Sequence, residues 1–212
     1  RSTGLAKGSS HTSRTADSHK SPFATLILLG RKIARLLFWR FRLFDPTAFL
    51  DATTNLSRPF FRRWFLWFIL IVFALAFSFF VGRGGMEMFD ASWFGSPTSL
   101  AALYAGIAAL KFLHEAGHAL AVRRFGGSVH EVGITLVAGL PLFHVEASDS
   151  YLFPKKSQRL AVASSGILIE ILAAAGLIGI WLILADGFTR QLLTHLIILA
   201  SVSTIFFNGN PL

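Results

Sequence analysis

Residues 64–82 run for 19 positions without a charge, closed by Arg63 on one side and Arg83 on the other. At about 1.5 Å per helical residue, such a run reaches across a hydrocarbon layer roughly 30 Å thick. Within lipid no water satisfies the backbone, so a crossing segment must be a helix or part of a closed barrel. Three further apolar stretches follow: 100–122, which is closed by Arg123 and Arg124 but carries Lys111, His114, Glu115 and His118; 160–184, with the single charge Glu170; and 191–207. The expected fold is therefore an all-α polytopic membrane protein with about four transmembrane helices. A mean hydropathy of +0.59 and 22 Phe against 11 acidic residues agree, being too apolar for a soluble domain of this length.

The net charge of +9 does not read as a nucleic-acid footprint, because the basic residues flank apolar runs instead of interleaving with aromatics on a soluble surface. They set an orientation instead, since Lys and Arg are retained in cytoplasmic loops. Residues 1–63 hold 12 and residues 123–159 hold 5, whereas 83–99 and 185–190 hold one each. Both termini and the middle loop are thus expected in the cytoplasm. Residues 1–22, rich in Ser, Thr, Gly, Lys and Arg, read as a disordered basic tail. Residues 23–63 read as a cytoplasmic, interfacial amphipathic segment, with Leu, Phe and Arg over 23–44 at the spacing of a basic interfacial helix. Residues 64–212 form the membrane core. The chain opens on Arg and closes on Asn-Pro-Leu directly after an apolar run, as a piece cut from a longer protein would.

Between the second and third stretches, residues 132–143 carry no charge and contain Gly133, Gly139 and Pro141 among β-branched residues. Twelve residues are too few to span a bilayer, so a small β-hairpin or re-entrant element is expected there, covered by protein.

The chemistry-bearing motif is His114-Glu115-Ala116-Gly117-His118, of the form H-E-x-x-H. Two histidines four apart project from one helical face, within reach of one tetrahedral ion, with Glu115 beside them. With no cysteine in the chain, any metal site rests on His and carboxylates. The bland alternative, histidines that only satisfy one another, is weakened by the setting. A Glu and two His inside an apolar span each cost a few kcal/mol unless they line a site or pair.

Together with Lys111-Phe-Leu-His-Glu-Ala-Gly-His118, the segments Arg124-Phe-Gly-Gly127, Val145-Glu-Ala-Ser-Asp149, Ser165-Gly-Ile-Leu-Ile-Glu170 and Phe207-Asn-Gly-Asn-Pro-Leu212 resemble the site-2 protease family of intramembrane zinc metalloproteases. The likeness is nearest its bacterial peptide zinc metalloprotease branch, which is associated with peptide export. It implies zinc on His114 and His118, Glu115 as catalytic base, and a location in the bacterial inner membrane with the active site toward the cytoplasm. It also implies a third zinc ligand, an Asp in an Asp-Gly pair shortly after Asn-Pro-Leu, which falls beyond Leu212. The lipid bilayer and a membrane-associated or membrane-spanning peptide substrate are the implied partners.

Other residues are weighed against that frame. Lys111 precedes His114 by three positions and lies on the same stripe. Measured from the cytoplasmic helix ends it sits about 18 Å deep and Glu170 about 15 Å, so the two are expected to pair. The alternative is a snorkelling Lys and a protonated Glu. Asn208 and Asn210 either hydrogen-bond substrate near the metal or cap the last helix, which Pro211 ends. His195 belongs to the opposite end of its helix from His118. His144, Glu146 and Asp149 lie on the middle loop within conceivable reach of the metal, and His11, His19 and His130 read as surface residues. The expected activity is hydrolysis of a peptide bond within or next to the membrane by zinc-activated water, linked to peptide export or processing. Its rivals are a catalytically inactive membrane scaffold or exporter accessory, which has no need of Glu115, and a haem carrier, which histidines four apart on one helix cannot serve as opposite axial ligands.

Overall fold

The computed structural model describes residues 38–137 and 140–206. The tail at 1–22, the stretch 23–37, and Asn208, Asn210 and Pro211 lie outside the described residues. Among those described are five α-helices and one small antiparallel sheet. In chain order they are β1 (Phe38–Phe44), α1 (Thr47–Ser57), α2 (Arg63–Gly82), α3 (Pro97–Arg124), β2 (Val132–Val137), β3 (Leu140–Val145), α4 (Lys156–Ile183) and α5 (Phe188–Phe206).

Each of the four apolar stretches is a helix. Two of them, α2 and α4, are long and apolar enough to cross a membrane. Helix α2 is apolar all round and exposes Trp64, Trp67, Phe68, Ile71, Leu75 and Phe79, burying only Ile69 and Phe80. Helix α3 starts where Ser96 caps Ser99 N–H and Pro97 occupies the first turn, a position that needs no amide hydrogen. It ends on Arg123 and Arg124, whose charges complement the helix C-terminus.

Helix α3 is the central element and links two apolar clusters. One gathers Phe80, Trp93, Leu103, Ile178, Trp181 and Ile197 from α2 to α5. The other gathers Leu50, Ala119, Val122, Val129, Phe153 and Val162 around the far end of α3. Leu103 and Ala119 are 16 residues apart, about 24 Å along the helix, and the H-E-x-x-H motif lies toward the second cluster. An Asp51–Arg123 ion pair ties α1 to the end of α3.

The middle-loop hairpin is present as β2 and β3, paired from Val132↔Val145 to Val137↔Leu140. The sheet has a third strand, which corrects the reading of 23–44 as a basic helix over its last seven residues. Strand β1 pairs with β2 from Phe38↔Val137 to Phe44↔Val132, giving the order β1-β2-β3. The cause is visible in Phe-Trp-Arg-Phe-Arg-Leu-Phe: aromatics suit a pleated surface, and apolar and basic residues alternate with period two. Trp39 and Phe41 accordingly share one face, with ring centroids 4.9 Å apart.

Candidate metal centre

The histidine pair sits where α3 crosses α4, and small residues set that crossing. A Cβ on Gly117 would stand 2.8 Å from the Ser165 carbonyl oxygen, and one on Gly166 would stand 2.5 Å from His114 Nε2. Any larger residue at either position would push the helices apart or displace the imidazole. The close approach places the α4 backbone against the α3 histidines and supplies their outer partners.

His114 and His118 turn their Nε2 atoms toward each other, 3.0 Å apart. Each Nδ1 faces an acceptor. His118 Nδ1 lies 2.8 Å from the Val162 carbonyl oxygen, which accepts only. Ser165 Oγ donates to the same carbonyl at 2.6 Å, so its own hydrogen is committed there, 3.4 Å from His118 Nδ1. His114 Nδ1 is buried 3.2 Å from Glu170 Oε1, within ion-pair distance but without a hydrogen bond. The same carboxylate oxygen receives Lys111 Nζ at 2.7 Å, so Lys111 and Glu170 pair as their depths suggested.

The Val162 carbonyl only accepts, so His118 carries its proton on Nδ1 and turns an Nε2 lone pair toward His114 Nε2. A tetrahedral ion held by two imidazoles at about 2.0–2.1 Å separates their nitrogens by roughly 3.3 Å, close to the spacing here. A carboxylate or carbonyl behind each ligating imidazole is the usual outer support of a metal-bound histidine. The donor set therefore fits zinc. Among the described residues no group of three His, Cys, Asp or Glu side chains that could hold a metal ion is assembled.

Glu115 projects beside the pair toward the sheet, where its Oε2 accepts the Val145 N–H of β3 at 3.2 Å. Strand β3 lies along α3 through two more contacts: the Tyr104 hydroxyl donates to the Pro141 carbonyl, and Phe112 meets Phe143 edge-on at 5.1 Å. The outer edge of the sheet is thus held against the helix that carries the motif.

The other candidates are engaged elsewhere. His144 contacts Thr135 Oγ1 at 3.0 Å and Glu131 at 3.5 Å within the sheet. Glu146 accepts from the Ser148 hydroxyl, and Asp149 accepts the Ser128 N–H at 2.7 Å. His195 is fully buried in the opposite cluster, stacked on Trp93 at 4.8 Å, with Nδ1 2.8 Å from the Gln191 carbonyl and Nε2 2.9 Å from the Asp90 carbonyl. Sequence reasoning missed Gly117, Val162, Ser165 and Gly166 as supports. The run Ser164-Ser165-Gly166 in an apolar helix, facing a glycine inside H-E-x-x-H, was the available signal, since small residues mark close helix approach. Comparison with protein-family models, with curated proteins and with solved structures returns no match.

Proposed function

We propose that this chain forms the core of a membrane-embedded zinc metalloendopeptidase, which hydrolyses a peptide bond within or next to the bilayer. The observation that supports the reading is the pair of facing Nε2 atoms 3.0 Å apart, with His118 Nδ1 on the Val162 carbonyl, the Glu170 carboxylate 3.2 Å from His114 Nδ1, and Glu115 as the adjacent carboxylate. A zinc ion, when bound there, polarises a peptide carbonyl and brings the pKa of a water to about 7. Glu115 is the group positioned to take that water's proton and return it to the leaving amine. The Val145 N–H holds its carboxylate between α3 and the sheet. Lys111 and Glu170 orient His114, while Ser165 and the Val162 carbonyl orient His118. By the resemblance, the ligand set includes an Asp in addition to the two histidines.

The membrane setting rests on where the apolar surface lies. Protein buries only 11% of the apolar stretch of α2 and 28% of that of α4, which supports a lipid-facing role over that of a soluble-domain core helix. Left in water, that surface would be an aggregation site; facing lipid, it is at equilibrium. In this reading α2 to α5 are four crossings, with the termini and the middle loop on the cytoplasmic side of a bacterial inner membrane. The substrate is a membrane-associated peptide whose scissile bond is locally extended, since helical amides are protected. Strand β3 shields the site, and a peptide pairing with its outer edge would displace the Val145 N–H from Glu115.

The test is cleavage of a membrane-inserted peptide by the protein in liposomes, using a chain that carries the expected third ligand. A zinc chelator is expected to stop cleavage and added zinc to restore it. Cleavage that continues in chelator, or a zinc-loaded protein that cleaves no membrane peptide, would favour the scaffold reading.

A further inference from the structure

A cavity of about 240 Å³ lies between α1, α2, α3 and α4 and reaches Gly117, the residue before His118. Its wall includes Phe60, Phe61 and Ile69 at the α2 side and Leu120, Leu168 and Ile169 at the back. Gly117 and Ser165, which set the α3–α4 crossing, also line it. Three of its lining residues carry hydroxyls, and all donate within their own helices: Thr53 to the Phe49 carbonyl at 2.9 Å, Ser57 to Thr54 at 2.7 Å, and Ser165 to Val162 at 2.6 Å. The cavity therefore offers hydrocarbon and no spare donor. It is smaller than the roughly 300–1,000 Å³ of a drug-sized ligand site, and suits the end of one chain.

Directly beside it, the turn that supplies Phe60 and Phe61 is flanked by Arg58, Arg62 and Arg63, all exposed. Among the described residues none of the three has an acidic partner within ion-pair distance. Trp64 and Trp67 follow, 56% and 64% exposed, as aromatics do at a membrane–water boundary. Ile69 is six residues further along α2, about 9 Å deeper. Cations at the surface with an apolar slot one helical stretch below them match the two ends of a phospholipid.

We propose that Arg58, Arg62 and Arg63 together with this cavity form a binding site for an anionic phospholipid, the phosphate on the arginines and one acyl chain inserted between the helices against Gly117 and Ser165. The inserted chain braces Gly117 and Ser165, and so holds the partner of His118 Nδ1 in place. The proposal rests on the membrane reading above but does not depend on zinc or on proteolysis.

The test uses the full chain reconstituted in phosphatidylcholine vesicles. A trace phospholipid with a photoreactive diazirine in mid-chain is added, carrying a phosphatidylglycerol head in one arm and a phosphatidylcholine head in the other. Labelled positions are mapped by mass spectrometry. Phosphatidylglycerol is expected to label Leu120, Leu168 or Ile169 about tenfold more than phosphatidylcholine, given the attraction of clustered basic residues for anionic lipid. Changing Arg58, Arg62 and Arg63 together to Gln should bring the two heads level, while Ile71 and Leu75 on the outward face of α2 label equally in every arm. Equal labelling of the cavity by both heads in the unmodified protein would overturn the site, whatever the variant does. So would label confined to the outward face of α2, which would leave the membrane reading intact. No labelling of α2 at all would remove both.

Discussion

Glu115→Gln should eliminate peptide cleavage while leaving the metal in place. The amide is nearly isosteric with the carboxylate, and its carbonyl oxygen can still accept the Val145 N–H that meets Glu115 Oε2 at 3.2 Å. Position is therefore preserved and proton transfer is lost, at a cost of about 10²–10⁴ in rate. His114 and His118, with their Glu170 and Val162 supports, are untouched. Turnover of a membrane peptide and zinc per protein, measured on the same preparation, separate these effects. Activity retained within about threefold would remove Glu115 from the chemistry. Zinc lost along with activity would make it a structural residue.

Lys111→Met should produce the largest loss of stability. Glu170 is 3% exposed and gives one carboxylate oxygen to both Lys111, at 2.7 Å, and His114, at 3.2 Å. Removing the cation takes from a buried carboxylate its closest charge partner, a change that typically costs about 3–5 kcal/mol. Lys111 keeps 29% exposure, so the lower end, about 3 kcal/mol, applies. For a chain of this size that corresponds to a drop of roughly 10 °C in Tm. Glu170→Gln added to Lys111→Met should recover most of it, because the neutral amide needs no cation. Thermal unfolding of the four proteins in detergent forms the double-mutant cycle. A Lys111→Met protein as stable as the parent, or one that Glu170→Gln does not rescue, would show the pair to be incidental.

The parts of the fold that follow helical arithmetic were legible in the chain. Residues 64–82, bounded by two arginines, could hardly be anything but a helix, and H-E-x-x-H on a 3.6-residue period brings two imidazoles together wherever the helix goes. The Lys111–Glu170 pair was legible for a related reason: two opposite charges at matching depth in apolar helices have few other partners. Strand β1 was misread because Phe, Leu and Arg fit both periods over a short window, and its pairing partner, β2, lies about ninety residues away. The supports of His118 were hidden for a different reason. They are a backbone carbonyl, the Ser165 hydroxyl and two glycines, and their value comes from how closely two helices approach, which the small-residue run Ser164-Ser165-Gly166 signals without naming the partners.

The central claim is that His114 and His118 share a metal ion. Its most direct measurement is zinc content together with X-ray absorption at the zinc edge, on the purified protein and on His118→Ala. The account predicts bound zinc with two imidazole nitrogens in its first shell at about 2.0–2.1 Å, and loss of that zinc in His118→Ala. A protein that takes up no zinc, or one whose zinc keeps the same two-imidazole spectrum without His118, would contradict it, the first outcome leaving a proton as the cation between the two rings.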